Sequence, residues 1–523
     1  MNQYFSAGDW VVILAYLLGI IGLGLWFGKD QRNTRDYFLG SKNIPWWGIG
    51  LSIVAAETSA LTIIGVPSMA YGGNIAFIQM IIGYVFARIL LAIYLVPHYF
   101  KGEIYSPYQL FANAFGPGAR QTAGGFFLIS ETLAAGVRVY VASIPVKLML
   151  GDRLLGFGTG DPILGAILLF VLLSLFYTYV GGVKAVIWTD AVQFGLFLLG
   201  GLFALFYIPS RIDGGFSEVM RQAAAAGKLH WLNLAPPPGK NWLQFLLGSP
   251  FNFWMGIIGG TVMVMSSHGA EQLIVQRVLA CKTVSDGRKS LVLSAVVILP
   301  LFLIFLVVGA MLWVFYQGHP FQIPLPEPRP GIKANDFIFP IFMMTEVPHL
   351  LKGFLIVAIL SAAMSSVSSA LTSLASVSTM DFVKHLLPRR SEEFFLKFSK
   401  LSTVAWAIAL IYVAYLSRQV DFVLNAAFSL RGLTSGALLG GLILAVFWRG
   451  GRAVPVITGM MASLGVMTFI ELMQKLAKET WLRWTGTEIF WPWYTLIGVV
   501  ITLGTAWATN RLLGVGRGQE REA

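Results

Sequence analysis

The sequence predicts an all-α, polytopic membrane protein, and three observations carry that prediction. Of 523 residues, 56% are hydrophobic and only 12% are charged, against roughly 25% charged residues in an ordinary soluble domain. The mean hydropathy is +0.72. Stretches of about 20 apolar residues, the length that crosses roughly 30 Å of hydrocarbon, recur from one end to the other. They place about thirteen transmembrane helices, near 9–28, 46–70, 75–99, 123–150, 162–180, 185–208, 247–268, 290–317, 351–381, 398–417, 420–448, 453–474 and 491–509.

The first helix is expected to remain in place. Its flank, Met-Asn-Gln-Tyr-Phe-Ser-Ala-Gly-Asp, has no basic residue, and no small-residue cleavage pattern follows. The second contains a candidate break at Ala55-Ala56-Glu57-Thr58-Ser59. Glu57 lies roughly 16 Å from the cytoplasmic end, near mid-membrane, where a carboxylate costs a few kcal/mol. It can touch a solute, tune an ion, or pair with an arginine. In the fourth helix Glu131 and Arg138 share a face about 10 Å apart, the geometry of an ion network that also draws on Arg88. The fifth and sixth are joined by Gly181-Gly182, a pair that permits a tight turn, and Asp190 stands a few residues inside the sixth. A charge in that position requires a reason.

The longest loop, 209–246, carries Pro236-Pro237-Pro238-Gly239 and a short amphipathic stretch, and reads as an external cap or gate. The seventh helix offers candidate breaks at Gly259-Gly260 and at Ser266-Ser267-His268-Gly269. His268 either contacts solute or caps polar backbone there. The ninth concentrates hydroxyls between Ser361 and Ser373. At about 100° per residue, Ala362, Ser365, Ser366, Ser369 and Ser373 share one face. Ser365, Ser368, Ser369 and Thr372 share an overlapping one. Such hydroxyls either bond back to their own helix while small residues let helices approach, or, as a set beside Asp190, ligate a hard cation. Ser368 lies roughly 25 Å below Leu351, level with Asp190. The eleventh helix carries Arg431, a second anion contact or a gate residue. The eighth, tenth, twelfth and thirteenth are placed on length and apolarity alone.

Basic residues set the orientation. An outside amino terminus puts Lys29, Arg32, Arg35, Lys42, Lys184, Arg277, Lys282, Arg288, Lys384, Arg389, Arg390, Arg449, Arg452 and Arg511 inside, together with the carboxyl terminus. The net charge of +12 then belongs to the cytoplasmic rim and gives no sign of nucleic acid binding. The single cysteine, Cys281, excludes an intramolecular disulfide and a cysteine metal cluster. No loop is long enough for an enzyme domain, and the histidines form no pair with metal-ligand spacing. A transporter-like sensor would need an output domain after the last helix, and the chain is expected to have none. No obligate protein partner is implied; the expected partners are the lipid bilayer, a small-molecule solute and its ions.

Residues 177–193 read Tyr-Thr-Tyr-Val-Gly-Gly-Val-Lys-Ala-Val-Ile-Trp-Thr-Asp-Ala-Val-Gln. The pattern Gly-Gly-x-x-Ala-Val-x-x-Thr-Asp-x-x-Gln closely resembles the signature of the sodium:solute symporter family, which includes sodium-coupled sugar, proline and sialic acid carriers. The resemblance implies a five-plus-five inverted-repeat core of the LeuT-like kind, in which the first helix of each repeat is interrupted at the midplane. The chain then divides into a peripheral segment 1–45, a first repeat 46–208, the external loop 209–246, a second repeat 247–448 and two terminal helices in 449–523. It also implies sodium-coupled import of a small organic solute across a plasma membrane, the bacterial inner membrane.

By family position, a first sodium site falls on Ala55, Thr58, Ala362, Ser365 and Ser366. A second, as in the sialic acid carriers, falls on Asp190, Ser365, Ser368 and Ser369. Arg138, in Ala-Gly-Val-Arg-Val-Tyr-Val-Ala, aligns with the arginine that grips the sialic acid carboxylate, and a guanidinium fork suits that group. Glu57, Ser59, Thr62, Gln79, His268 and Phe428 complete the expected solute site. Ser267 and His268 replace the aromatic pair the family places before Gly269, so a sugar acid, an amino acid and a neutral sugar all remain as solutes. The segment Gly269-Ala270-Glu271-Gln272-Leu273-Ile274-Val275-Gln276-Arg277 resembles a family motif leading into a cytoplasmic loop and reads as structural or gating.

Overall fold

The computed structural model describes residues 5–28, 31–150, 160–325, 334–417, 423–448 and 451–519, and within them every regular element is helical. α1 (Ala7–Phe27) begins at Ser6, whose hydroxyl accepts from the Asp9 amide while the Asp9 carboxylate accepts from the Ser6 amide. This reciprocal cap satisfies donors that a helix start leaves open. Only 17% of the α1 span is buried, against 89% for the span Leu351–Leu386, so α1 is peripheral and the serine-rich helix is central.

α2 (Trp46–Glu57) and α3 (Ala60–Gly72) form one span bent by 56°. Thr58 and Ser59 between them are extended, so the break falls within Ala55-Ala56-Glu57-Thr58-Ser59, as expected. α4 (Ile78–Leu90) runs into a π-helical turn, Leu91–Leu95. α5 (Pro117–Leu150) follows. α6 (Pro162–Ser210) holds the two helices expected at 162–180 and 185–208, which meet at a non-helical kink at Gly182 with φ 53° and ψ −154°. At the kink α1 comes close: a Cβ on Gly28 would stand 2.8 Å from the Gly181 Cα.

The helix expected at 247–268 runs unbroken over 253–269, π-helical at Met255–Gly260 and then α-helical as α7 (Thr261–Gly269), and a separate π-helical turn, Gln244–Gly248, precedes it. The glycines serve contact, since a Cβ at Gly256 would meet the Gln79 carbonyl oxygen of α4 at 2.5 Å. α8 (Gln272–Leu279) starts after Glu271, which is extended, so a second break lies just beyond Ser266–Gly269. α9 (Val284–Gly318), α10 (Leu351–Val377), α11 (Glu392–Leu416), α12 (Val423–Phe447), α13 (Ala453–Leu476) and α14 (Tyr494–Gln519) complete the bundle. α10 packs against α1, α2, α5, α6 and α11.

Among the described residues nine helices are long and apolar enough to span a membrane, and the broken pair makes a tenth. Pro162–Ser210, two helices meeting at the Gly182 kink, enters that count once, and the shorter helices 253–269 and Arg431–Phe447 do not enter it. On the face expected to be external, the amphipathic helix Gly215–Ala225 is followed by Lys228, whose ammonium donates to the Tyr71 and Gly73 carbonyls at 2.6 and 3.0 Å. Burial lowers the pKa of that ammonium, and the contact fastens the loop onto the end of α3.

Candidate ion and solute sites

Asp190, fully buried on α6, joins four elements. One carboxylate oxygen accepts from Ser365 of α10 at 2.6 Å. The other accepts from Ser52 of α2 at 2.6 Å and from a terminal nitrogen of Arg277 of α8 at 2.8 Å. Arg277, 2% exposed, also donates from Nε to Ser52 at 2.8 Å, from its other terminal nitrogen to the Leu273 carbonyl at 2.6 Å, and to the Ser369 hydroxyl. The kink at Gly182 positions this assembly, because it turns the second half of α6 so that Asp190 faces α10.

The serine helix is polar inside and inaccessible outside. Ser366 donates to the Ala362 carbonyl at 3.1 Å, Ser368 and Ser369 to the Ser365 carbonyl at 3.1 and 2.6 Å, and Thr372 to the Ser368 carbonyl at 2.6 Å. Each hydroxyl thus has a local partner that a cation can replace. Against this helix lies the first break. The Ser59 amide donates to the Thr62 hydroxyl at 3.3 Å rather than back to Ala55, as it would in a continuous helix. The Thr58 hydroxyl is buried with no hydrogen-bond partner among the described residues. An unmatched buried oxygen next to a released carbonyl, on a span that packs against the serine helix, supplies the hard, neutral oxygens that suit sodium. Ala55, Thr58, Ala362, Ser365 and Ser366 therefore fit that ion.

Each break also carries a glutamate paired with an arginine. Glu57, at the end of α2, accepts a hydrogen bond from Arg88 of α4, which is fully buried. His268 of α7 closes the group: its Nε2 lies 3.1 Å from Arg88 and 3.6 Å from Glu57, and its Nδ1 lies 2.9 Å from the Ser267 hydroxyl. At the second break Glu271 accepts from Arg431 of α12. Arg431 also reaches Glu131 of α5 at 3.5 Å, and Glu131 takes Arg138 at 3.4 Å. Of these groups Glu57, Arg138 and Arg431 keep side-chain exposures of 15%, 13% and 23%, so they are the members of the two networks that are not fully enclosed.

The other expected solute residues are placed differently. Ser59 and Thr62 form the start of α3 beside Glu57. Gln79 is fully buried, and its amide is spent on backbone: it donates to the Ala76 and Phe251 carbonyls at 3.1 and 2.6 Å and accepts from the Asn233 amide at 3.0 Å. It ties the 209–246 loop to α4 through Asn233 and is not among the charged groups. The side chain of Phe428 lies outside the described residues. Ser52, Arg88 as the partner of Glu57, Glu271 as an ion-pair member and Arg277 as the partner of Asp190 were not legible in advance. An intramembrane charge marks Arg88; no local signal marks the others.

The profile of the sodium:solute symporter family matches residues 37–463. The sodium/sialic acid symporter SiaT of Proteus mirabilis is 30% identical over 471 residues, covering 88% of this chain and 88% of that protein. The human sodium-coupled monocarboxylate transporter 2 is 27% identical, over 91% of this chain and 75% of its own length. A solved structure described as the substrate-bound, outward-open state of a sodium-coupled sialic acid symporter with a novel sodium site superposes with a TM-score of 0.83, 25% identity, and coverage of 97% of this chain and 98% of that one.

Proposed function

The chain belongs to the sodium:solute symporter family, and from that premise we propose that it is a secondary-active carrier coupling inward sodium flow to uptake of a small organic carboxylate. The observation that carries the sodium reading is the unpartnered, buried Thr58 hydroxyl at the break of α2 and α3, a span that packs against the hydroxyl-lined α10. Sodium at Ala55, Thr58, Ala362, Ser365 and Ser366 would tie the broken helix to α10 and favour one orientation of the carrier. Its loss to the other side would release that constraint. A second sodium at Asp190, Ser365, Ser368 and Ser369 adds to the coupling. The amino terminus is taken as outside and the carboxyl terminus as cytoplasmic, from the basic residues.

The carboxylate reading rests on Arg138 and Arg431. Arg138 uses a terminal nitrogen to reach Glu131, and a planar guanidinium can hold a second carboxylate on its remaining edge. Two of the relatives are named for carboxylate solutes, sialic acid and monocarboxylates. Glu57, Ser59, Thr62 and His268 would line the opposite wall and meet the remainder of the solute.

The test begins with thermal shift of the purified protein against sialic acid and short monocarboxylates, in sodium and again in choline. With a stabilising solute in hand, Ser365→Ala/Ser366→Ala is expected to abolish sodium-stimulated uptake into proteoliposomes while the protein remains folded. Full uptake with unchanged sodium dependence sinks the sodium assignment.

A further inference from the structure

The residues proposed for the second sodium already hold a cation. The Arg277 guanidinium contacts Asp190 and Ser369, and Ser52 accepts from Arg277 while it donates to Asp190. All four residues are at most 2% exposed. We propose that Arg277 is a tethered counter-cation that alternates with a sodium ion on Asp190. The guanidinium neutralises the carboxylate while the carrier is ion-free and withdraws when an ion enters. This rests on the sodium reading above and goes beyond it, since it assigns the ion site a competitor built into the chain.

Two physical points support the exchange. First, a carrier must reorient both with and without its ions, and a bare carboxylate inside the bilayer is unfavourable even on the lenient insertion scale. Arg277 removes that cost on the ion-free leg. Second, the arginine has a long side chain on a firmly packed element. All eight residues of α8, which begins after extended Glu271 and ends at the turn Ala280–Thr283, are buried. Gln272 donates to the Tyr105 carbonyl and the Ser376 hydroxyl, and Gln276 to the Phe38 carbonyl, so the helix is held in place. Rotation about the Arg277 side-chain bonds, with α8 fixed, draws the guanidinium off Asp190. The Ser52 and Ser369 hydroxyls it leaves are the neutral oxygens that a sodium ion takes up.

The experiment follows thermal stability of the full-length protein against sodium chloride, with choline chloride holding ionic strength constant. Sodium that binds only the folded state stabilises it according to its affinity. In Arg277→Gln the ion is the only cation left for Asp190. The variant is therefore expected to be less stable than wild type in choline, and to reach half-maximal sodium stabilisation at about tenfold lower concentration or less, the scale of one charge-assisted hydrogen bond. Asp190→Asn/Arg277→Gln, with both charges gone, is expected to regain stability in choline and to lose the added sodium response. Should Arg277→Gln fail to fold, Arg277→Lys keeps the charge without the fork, and its half-saturating sodium is expected to fall in the same direction. Wild-type half-saturation in every Arg277 variant overturns the exchange. A wild-type protein with no sodium response at all speaks instead against the sodium reading.

Discussion

Glu57 and Arg88 meet where neither could stay charged alone, and a buried pair of this kind reveals itself when one member is removed. Glu57→Gln leaves a fully buried guanidinium whose remaining contacts among the described residues are His268 and the carbonyl and ring of Tyr84. The expected loss is about 3–5 kcal/mol, the usual cost of breaking a buried ion pair, read as a fall in thermal stability in detergent. Glu57→Leu/Arg88→Met should recover most of it, because apolar replacement of a whole pair is often neutral. If Glu57→Gln is as stable as wild type but fails to bind solute, the carboxylate serves the solute instead. The sequence left three roles open for Glu57, and it could not do otherwise: depth marks a charge as needing a partner but does not name the partner. Arg277 shows the same limit more sharply. It lies 87 residues from Asp190 in sequence, and nothing local to either residue foretells their contact. Asp190 and the serines were legible because residue type, spacing and depth all agree there.

At the scale of elements, the kink in α6 fixes where Asp190 points. Gly182 has φ 53° and ψ −154°, a conformation essentially restricted to glycine, and a Cβ there would lie 2.5 Å from the Tyr37 carbonyl oxygen. Gly182→Ala is expected to cost about 1–3 kcal/mol, measured as a lowered Tm. Gly195→Ala in the same helix, where nothing lies within 4 Å, is expected to leave Tm unchanged or to raise it, by up to about 1 kcal/mol of helix propensity. Glycine pairs and polar clusters inside apolar runs made the turn in α6 and the break after α2 readable. The helix expected at 247–268 is unbroken over 253–269, and its π-helical bonding at Met255–Gly260 escapes hydropathy, which registers apolar length alone. The close approach to α4 that its glycines permit is a tertiary fact.

Across the whole molecule the two breaks are stitched together by charge. His268, from the second broken span, joins the Glu57–Arg88 pair of the first, and Glu131 of α5 reaches Arg431, which holds Glu271. Glu57, Glu131 and Glu271 balance Arg88, Arg138 and Arg431, so the centre of the bundle can be polar and still carry no net charge. The same balance extends to Asp190 and Arg277, and it has an electrical consequence. One uncompensated elementary charge moved across the membrane couples to voltage by about 2.3 kcal/mol per 100 mV. With its carboxylates matched by arginines, the ion-free carrier turns over as an uncharged dielectric. Voltage jumps applied in choline are expected to evoke almost no transient current from wild type, and a measurable displacement charge from Arg277→Gln. Resting potential then drives the sodium-loaded passage alone, and the pace of the homeward step is set by temperature and lipid, not by the field.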